Sequence, residues 1–226
     1  MPGEPPPGYP APTVSLHTAT STMDVAERLA ALGWPPWTLV TAARQTAGRG
    51  RRGHRWHSPP GGLWMSLILP PGDPVAWQYV LGAATARALA ELGAPVEVRW
   101  PNDIYARGRK LAGVIVECSG HCIGGVGVNA YNPPPTPRAI SLAELGVAPR
   151  LAELAARIAL NAAHTTPRAA VEEINRLLYR GPAWVSIDGT LLLCRPAAAL
   201  PDGLLAHCPG GPRRLRMWEV ERLYYP

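Results

Sequence analysis

Residues 96–132 alternate and turn in a way that few folds accommodate. Val96, Val98 and Trp100 alternate with Glu97 and Arg99, the period-two pattern of a half-buried strand. Pro101-Asn102-Asp103 interrupts that run, Arg107-Gly108-Arg109 turns it, and LAGVIVE continues to Glu117. Ser119-Gly120-His121 turns the chain back, and IGGVGVN follows. Short strands joined by tight turns predict a meander, so a sheet must form the middle of the molecule. Residues 63–69 (LWMSLIL) read as a further, buried strand, and 38–41 (TLVT) as another.

Helices are expected around these strands. Ser21 caps one, with Asp24 three positions on; Val25, Leu29 and Leu32 fall on one face, and Gly33 ends it. Asp73-Pro74 opens a second that runs to about Leu92, with Gly93 after it. Two more are expected near 150–164 and 167–179, separated at Pro167. From residue 181 the chain changes to short β-like runs (AWVSI, TLLLC, GLLAHC, RRLRMWEV) between Gly and Pro, the pattern of a small β-barrel. The expected class is α/β (α+β): a disordered Pro-rich leader over 1–12, a main domain over 13–180 and a small β domain over 181–226.

The 226 residues suffice to bury roughly 70% of the unfolded surface. No apolar run reaches the ~18 residues a membrane span needs. The opening MPGEPPPGYPAP lacks the basic and apolar regions of a signal peptide, so a cytoplasmic location is expected. The net charge of +6 fits an anionic substrate or nucleic acid, though a G/C coding bias that enriches Arg gives the same balance. The six histidines show no ligand spacing, and Cys118, Cys122, Cys194 and Cys208 do not follow a zinc pattern, so no metal site is expected. Cys118 and Cys122 flank a turn and could face each other; in a reducing cytoplasm they are expected to stay thiols.

Lys110 is the only lysine among 22 Lys and Arg residues. A position that keeps Lys in such an Arg-rich chain is a candidate for chemistry that needs a compact ammonium, not a wide planar fork. The loop GRGRRGHRW at 48–56 holds three glycines and four arginines. Glycine lets backbone N–H groups approach an anion, and arginine adds bidentate phosphate contacts. Taken alone, the loop could cradle a nucleotide, grip a nucleic-acid backbone or be a solvated basic turn.

The order of these pieces resembles the biotin protein ligase family. Ser21-Thr22, GRGRRG with Trp56, Arg99-Trp100-Pro101-Asn102-Asp103, the KLAGVIVE strand, GVGVN and RAISL at 138–142 stand in the family's order between about residues 17 and 145. The resemblance implies a catalytic domain like that of class II aminoacyl-tRNA synthetases, a mixed sheet with flanking helices, followed by a small SH3-like barrel. It implies a monofunctional enzyme without the family's DNA-binding N-terminal domain. Biotin and Mg-ATP would give biotinyl-5′-adenylate and pyrophosphate, and a lysine of a biotin carboxyl carrier protein would then take the biotin. ATP and Mg2+ are the implied cofactors. DNA and membranes are not implied partners, and a homodimer is compatible with the pattern.

Residue by residue, the resemblance implies catalytic roles for Lys110, Arg51 and Asp103. Ser21, Thr22, Met23, Gln45, Arg49, Gly50 and Gly113 would join Arg51 and Lys110 around biotin. Trp56, Asn102 and Asn129 would join Arg49, Arg51 and Lys110 around ATP. Lys110 would contact the biotin carboxylate and α-phosphate, and Asp103 would orient basic side chains or help hold magnesium. Trp64 and Trp100 are expected in the core, and Glu117 either as a buried partner for an arginine or as a catalytic group. Three positions depart from the family pattern: Met23 where Asn is frequent, Arg99 in place of Lys, and His54 where Arg is common. Arg99 suggests a position that needs only positive charge. Two rivals are a lipoate-type ligase of the same fold and a nucleic-acid-binding module that uses the basic loop. The latter would need aromatic stacking platforms, and only Trp56 qualifies.

Overall fold

The computed structural model describes residues 10–187 and 189–225; the leader expected over 1–12 lies outside them as far as residue 9. Strands β1 (Thr13–Ala19), β2 (Leu39–Gln45), β3 (Leu63–Leu69), β4 (Val96–Arg99), β5 (Asp103–Ala106), β6 (Arg109–Ser119) and β7 (His121–Val128) form one sheet in the order β1-β2-β3-β7-β6-β5-β4. The β1–β2 pair is parallel and the others antiparallel, so the sheet is mixed as expected. Four helices flank it: α1 (Thr22–Ala31), α2 (Pro74–Glu91), α3 (Leu151–Ala163) and α4 (Pro167–Leu177).

Side-chain alternation sorts neighbouring strand residues onto opposite faces. Leu39, Leu67, Val114 and Val126 join the main core with α2, α3 and α4. Val40, Ile68, Ile115 and Ile123 join a smaller cluster under α1. Every residue of β3 is buried, because both faces are covered. Helix α2 is buried all round over residues 78–86 for the same reason, lying between the sheet and helices α3 and α4. Its cap is the expected one: the Asp73 carboxylate accepts from the backbone N–H groups of Val75 and Ala76.

Helix α1 follows the expected face in part. Met23, Ala26 and Ala30 are buried on the sheet, Val25 and Leu29 pack half-buried against the same cluster, and Leu32 is 77% exposed. Small alanines let the helix sit close on β3 and β7. Strand β1 was not expected at all. It is held through its parallel pairing with β2, a long-range contact that local pattern does not announce.

The C-terminal segment folds as a second, antiparallel sheet of β8 (Ala183–Ile187), β9 (Thr190–Leu200), β10 (Gly203–Cys208), β11 (Gly211–Arg216) and β12 (Val220–Tyr224), in the order β11-β10-β9-β8-β12. Buried polar groups pin it to the rest. Tyr79 on α2 accepts from Trp100 Nε1 at 2.8 Å and donates to the Gly203 carbonyl at 2.5 Å. Tyr225 donates to the Trp100 carbonyl at 2.8 Å.

Cys118 and Cys122 depart from the expectation of free thiols and are bonded to each other, and Cys194 is bonded to Cys208. Strand pairing is the reason. The β6–β7 hairpin turns at Gly120, a left-handed residue, and sets Cys118 directly opposite Cys122. The register of β9 on β10 pairs Arg195 with His207 and thereby brings Cys194 to Cys208.

Arg99 corrects a second expectation. Its guanidinium is 5% exposed and stacks 4.0, 4.6 and 4.9 Å from the rings of Tyr105, Tyr179 and Tyr225, with Glu97 at 3.1 Å. This position uses the flat face of arginine and not charge alone. Arg99→Lys should therefore cost about 1–2 kcal/mol of stability, a fall in Tm of roughly 3–6 °C for a chain of this size. A melting curve superimposable on wild type would contradict the stacking account.

Candidate functional site

A cavity of about 520 Å³ opens on the α1 side of the large sheet. Its floor is made by glycines. Gly113 on β6 and Gly125 and Gly127 on β7 share the face that carries Ile115, so alternate positions of two neighbouring strands lack side chains. A Cβ at Gly125 would stand 2.7 Å from the Met23 sulfur, and one at Gly127 2.6 Å from the indole of Trp56. Gly113 also makes room for that ring, at 2.9 Å, so the space it opens holds Trp56 in this structure.

The Gly/Arg loop folds as a small hairpin over one side of the cavity. Trp56 N donates to the Gly48 carbonyl at 2.9 Å, and Gly50 N to the His54 carbonyl at 2.7 Å. Its tip turns at Arg51–Gly53, where Arg52 adopts a left-handed backbone. Arg52 reaches out to the Val220 carbonyl at the start of β12. Arg49 is clamped between Asp24 of α1 and Glu117 of β6, at 3.1 and 3.2 Å. Glu117 thus partners an arginine, one of its two expected roles, but it is exposed and not buried. Two buried donors of the loop, Arg49 Nε and Trp56 Nε1, have no hydrogen-bond partner among the described residues.

A polar chain crosses the opposite wall. Lys110 Nζ stands 2.7 Å from Asp103 Oδ1, which also accepts from Asn102 Nδ2 at 2.8 Å. Arg51 donates to Asn102 Oδ1 at 3.3 Å. Lys110 also lies over the Trp56 ring, 5.1 Å from its centroid. Burial, and then the charge of Arg52, pull the Arg51 guanidinium below its usual pKa, with Asp103 opposing. The result is a cluster of cations around one carboxylate, suited to receiving an anion with more than one oxygen.

The inner end is uncharged. Thr22 N and Thr22 Oγ1 both donate to Gln45 Oε1, at 2.7 and 3.1 Å. Ser21 caps α1 by accepting from Met23 N at 3.2 Å, and all four residues line the cavity. Met23 presents only a thioether there.

The cavity gathers every sequence-predicted site residue except Asn129. Asn129 is buried behind β6, donating to the Lys110 carbonyl at 3.4 Å and accepting from Asn132 Nδ2 at 3.1 Å. It braces the strand that carries Lys110 and does not face the cavity. Trp64 is in the core as expected; Trp100 is equally buried but also lines the cavity. Among the lining residues that sequence reasoning did not assign to the site are Gly125 and Gly127 of the floor, and Val220, Leu223, Tyr224 and Tyr225, which reach the cavity from the second sheet. Burial pushes the Tyr225 hydroxyl well above its usual pKa, so it stays a neutral donor.

Residues 16–129 match the model of the biotin/lipoate A/B protein ligase family. The chain is 38% identical over 127 residues to the bifunctional ligase/repressor BirA of Bacillus subtilis, covering 51% of this chain and 39% of that protein. It is 35% identical over 151 residues to the biotin--[acetyl-CoA-carboxylase] ligase of Mycobacterium tuberculosis, covering 60% of this chain and 56% of that one. The match therefore spans less than two thirds of either relative. Among solved structures, the biotin protein ligase from Aquifex aeolicus in complex with biotin and ATP superimposes with a TM-score of 0.81 at 26% identity, over 95% of this chain and 99% of that one.

Proposed function

The chain belongs to the biotin/lipoate A/B protein ligase family, and from that premise we propose that it is a biotin–protein ligase acting on a biotin carboxyl carrier protein. The observation that carries this reading is the two-ended cavity. Its inner end is a neutral hydrogen-bonding set, Ser21, Thr22 and Gln45, and its outer end is a cation cluster, Lys110, Arg49 and Arg51, within one volume of about 520 Å³. A ligand with a polar, uncharged head and a carboxylate tail fits both ends.

In the first step a carboxylate oxygen of biotin attacks the α-phosphorus of ATP, and pyrophosphate leaves. Two anions must meet, and the phosphoryl oxygens carry charge in the transition state. Lys110 supplies the cation where those oxygens converge, and Asp103 at 2.7 Å holds its ammonium in place. In the second step the amine of a carrier lysine attacks the acyl carbon of the adenylate, and AMP leaves. No protein nucleophile is required in either step. Among the described residues no group of three metal-donor side chains occurs, and Asp103 is the one carboxylate in the cavity lining. The residues build no magnesium cage, so the metal's place in this reading is on the phosphates of ATP. No helix of the described residues is long and apolar enough to cross a membrane, and the proposed place of action is the cytoplasm, where ATP is held.

Arg51 is the loop residue best placed to retain the adenylate. Among the described residues its side chain hydrogen-bonds only to Asn102, so its removal should cost little stability, within about 0.5 kcal/mol. Losing a charge-assisted contact to the phosphate should speed escape of the adenylate roughly tenfold or more. Arg51→Ala is then expected to release biotinyl-adenylate into solution, read by chromatography of a single-turnover mixture. Release at the wild-type rate would remove Arg51 from this role. The ligase reading itself is tested by feeding biotin or lipoate with ATP, measuring pyrophosphate, and following label to a carrier domain.

A further inference from the structure

Two buried serines sit behind the polar end of the cavity. Neither Ser58 nor Ser66 lines it. Both bond to residues that do. Ser66 Oγ lies 2.8 Å from Thr22 Oγ1, and Ser58 Oγ accepts from Gln45 Nε2 at 2.8 Å.

The protons in this chain can be counted. The backbone N–H of Thr22 points at the Gln45 carboxamide at 2.7 Å, and a backbone N–H can only donate. The atom facing it must be the amide oxygen, since nitrogen there would set two donors against each other. The Thr22 hydroxyl is 3.1 Å from the same oxygen and so donates to it. That uses its one proton, and Ser66 must therefore donate to Thr22 across the 2.8 Å contact. On the other side the Ser58 hydroxyl accepts from Gln45 and passes its own proton to the Trp56 carbonyl at 3.1 Å. Ser21 accepts from Met23 N and keeps its proton.

Four valences remain on Ser21, Thr22 and Gln45. They are the second amide hydrogen of Gln45, the hydroxyl proton and one lone pair of Ser21, and one lone pair on Thr22 Oγ1. Two donors beside two acceptors complement a carbonyl flanked by N–H groups, the pattern of a cyclic urea. A dithiolane or hydrocarbon head would leave all four unmade, which a buried site penalises heavily.

We propose that Ser66 and Ser58 are positioning residues that fix this polarity, so that the inner end accepts a ureido head and rejects apolar ones; the assignment rests on the chain being a biotin ligase. Ser66 acts by holding the Thr22 hydroxyl as an acceptor, and Ser58 by holding the Gln45 amide as a donor. Neither touches the ligand.

The test is a double-mutant cycle on biotin affinity, measured by titration of the whole chain, with melting curves beside it. Ser66→Ala should weaken biotin binding about fivefold to tenfold, the worth of one well-placed hydrogen bond. Ser66→Cys, a weaker donor of similar size, should fall between, and it carries the cycle if Ser66→Ala does not fold. KM for ATP should stay put, because the outer end is unchanged. In a Thr22→Val background, Ser66→Ala should add nothing, since its only route to the ligand is gone. Wild-type affinity in Ser66→Ala and Ser66→Cys, or losses that multiply across the cycle, would overturn the positioning role while leaving biotin binding intact. A wild-type chain that binds lipoate and not biotin would instead overturn the ligase reading, and the polarity argument with it.

Discussion

Lys110→Arg is expected to fold normally and to lose most of the proposed adenylation. The variant keeps the charge, so any loss must come from shape. Lys110 projects from β6, a strand fixed on both sides by pairing with β5 and β7. Its own backbone is tied to the 138–140 segment, with Lys110 N donating to the Arg138 carbonyl at 2.8 Å and Ile140 N to the Lys110 carbonyl at 2.9 Å. The side chain therefore cannot retreat to make room. A guanidinium there would reach Asp103 with two N–H groups at once, displacing Asn102 and turning its plane away from the phosphate. The contact is made fully only in the transition state, so its loss should cost roughly 2–4 kcal/mol, or about 30- to 1,000-fold in rate. Stability should hardly move, because a half-exposed ion pair contributes little. Wild-type pyrophosphate release by the variant would refute the role.

Gly48→Ala should damage the site from its frame. The new Cβ would stand 2.6 Å from Ser58 Oγ, 2.6 Å from the Trp56 carbonyl and 3.0 Å from Gln45 Nε2. The Trp56 carbonyl is backbone and belongs to the neck of the loop hairpin, where Trp56 N bonds Gly48 O. It cannot swing aside as a side chain would, so the neck must spread. Overpacking of this kind costs typically about 1–3 kcal/mol. Spreading the neck also lifts Trp56 off its glycine floor and breaks the Gln45–Ser58 bond. KM for biotin should rise roughly tenfold or more, in line with one or two lost hydrogen bonds. Gly53→Ala is the control: nothing lies within 4 Å, and only its left-handed backbone resists, at about 1 kcal/mol. Equal biotin KM values for the two variants would show that the neck does not frame the pocket.

The parts of the molecule legible in its sequence are those with local causes. The β4–β7 meander, β3 and the capped start of α2 each announce themselves through alternation, turn residues or a cap. The cavity residues of the GRGRRG loop and the KLAGVIVE strand are legible for a different reason, their resemblance to a family in order and spacing. What escapes is decided by distant contacts. β1 exists because β2 offers a parallel partner. The buried stripe of α1 follows from how near β3 and β7 approach, which favours Ala26 and Ala30 over larger neighbours. Tyr225 joins the site through Arg99, more than a hundred residues away in the chain, and no pattern near either residue signals it. Asn129 shows the converse: a motif position matched by spacing whose side chain turns inward to brace a strand.

The measurement closest to the central claim is pyrophosphate release by the purified chain given ATP with biotin, with lipoate, or with neither acid. The two-ended cavity predicts release with biotin alone, abolished by Lys110→Arg and followed by transfer of labelled biotin to a carrier domain. Release that is equal with lipoate, or independent of either acid, would contradict it.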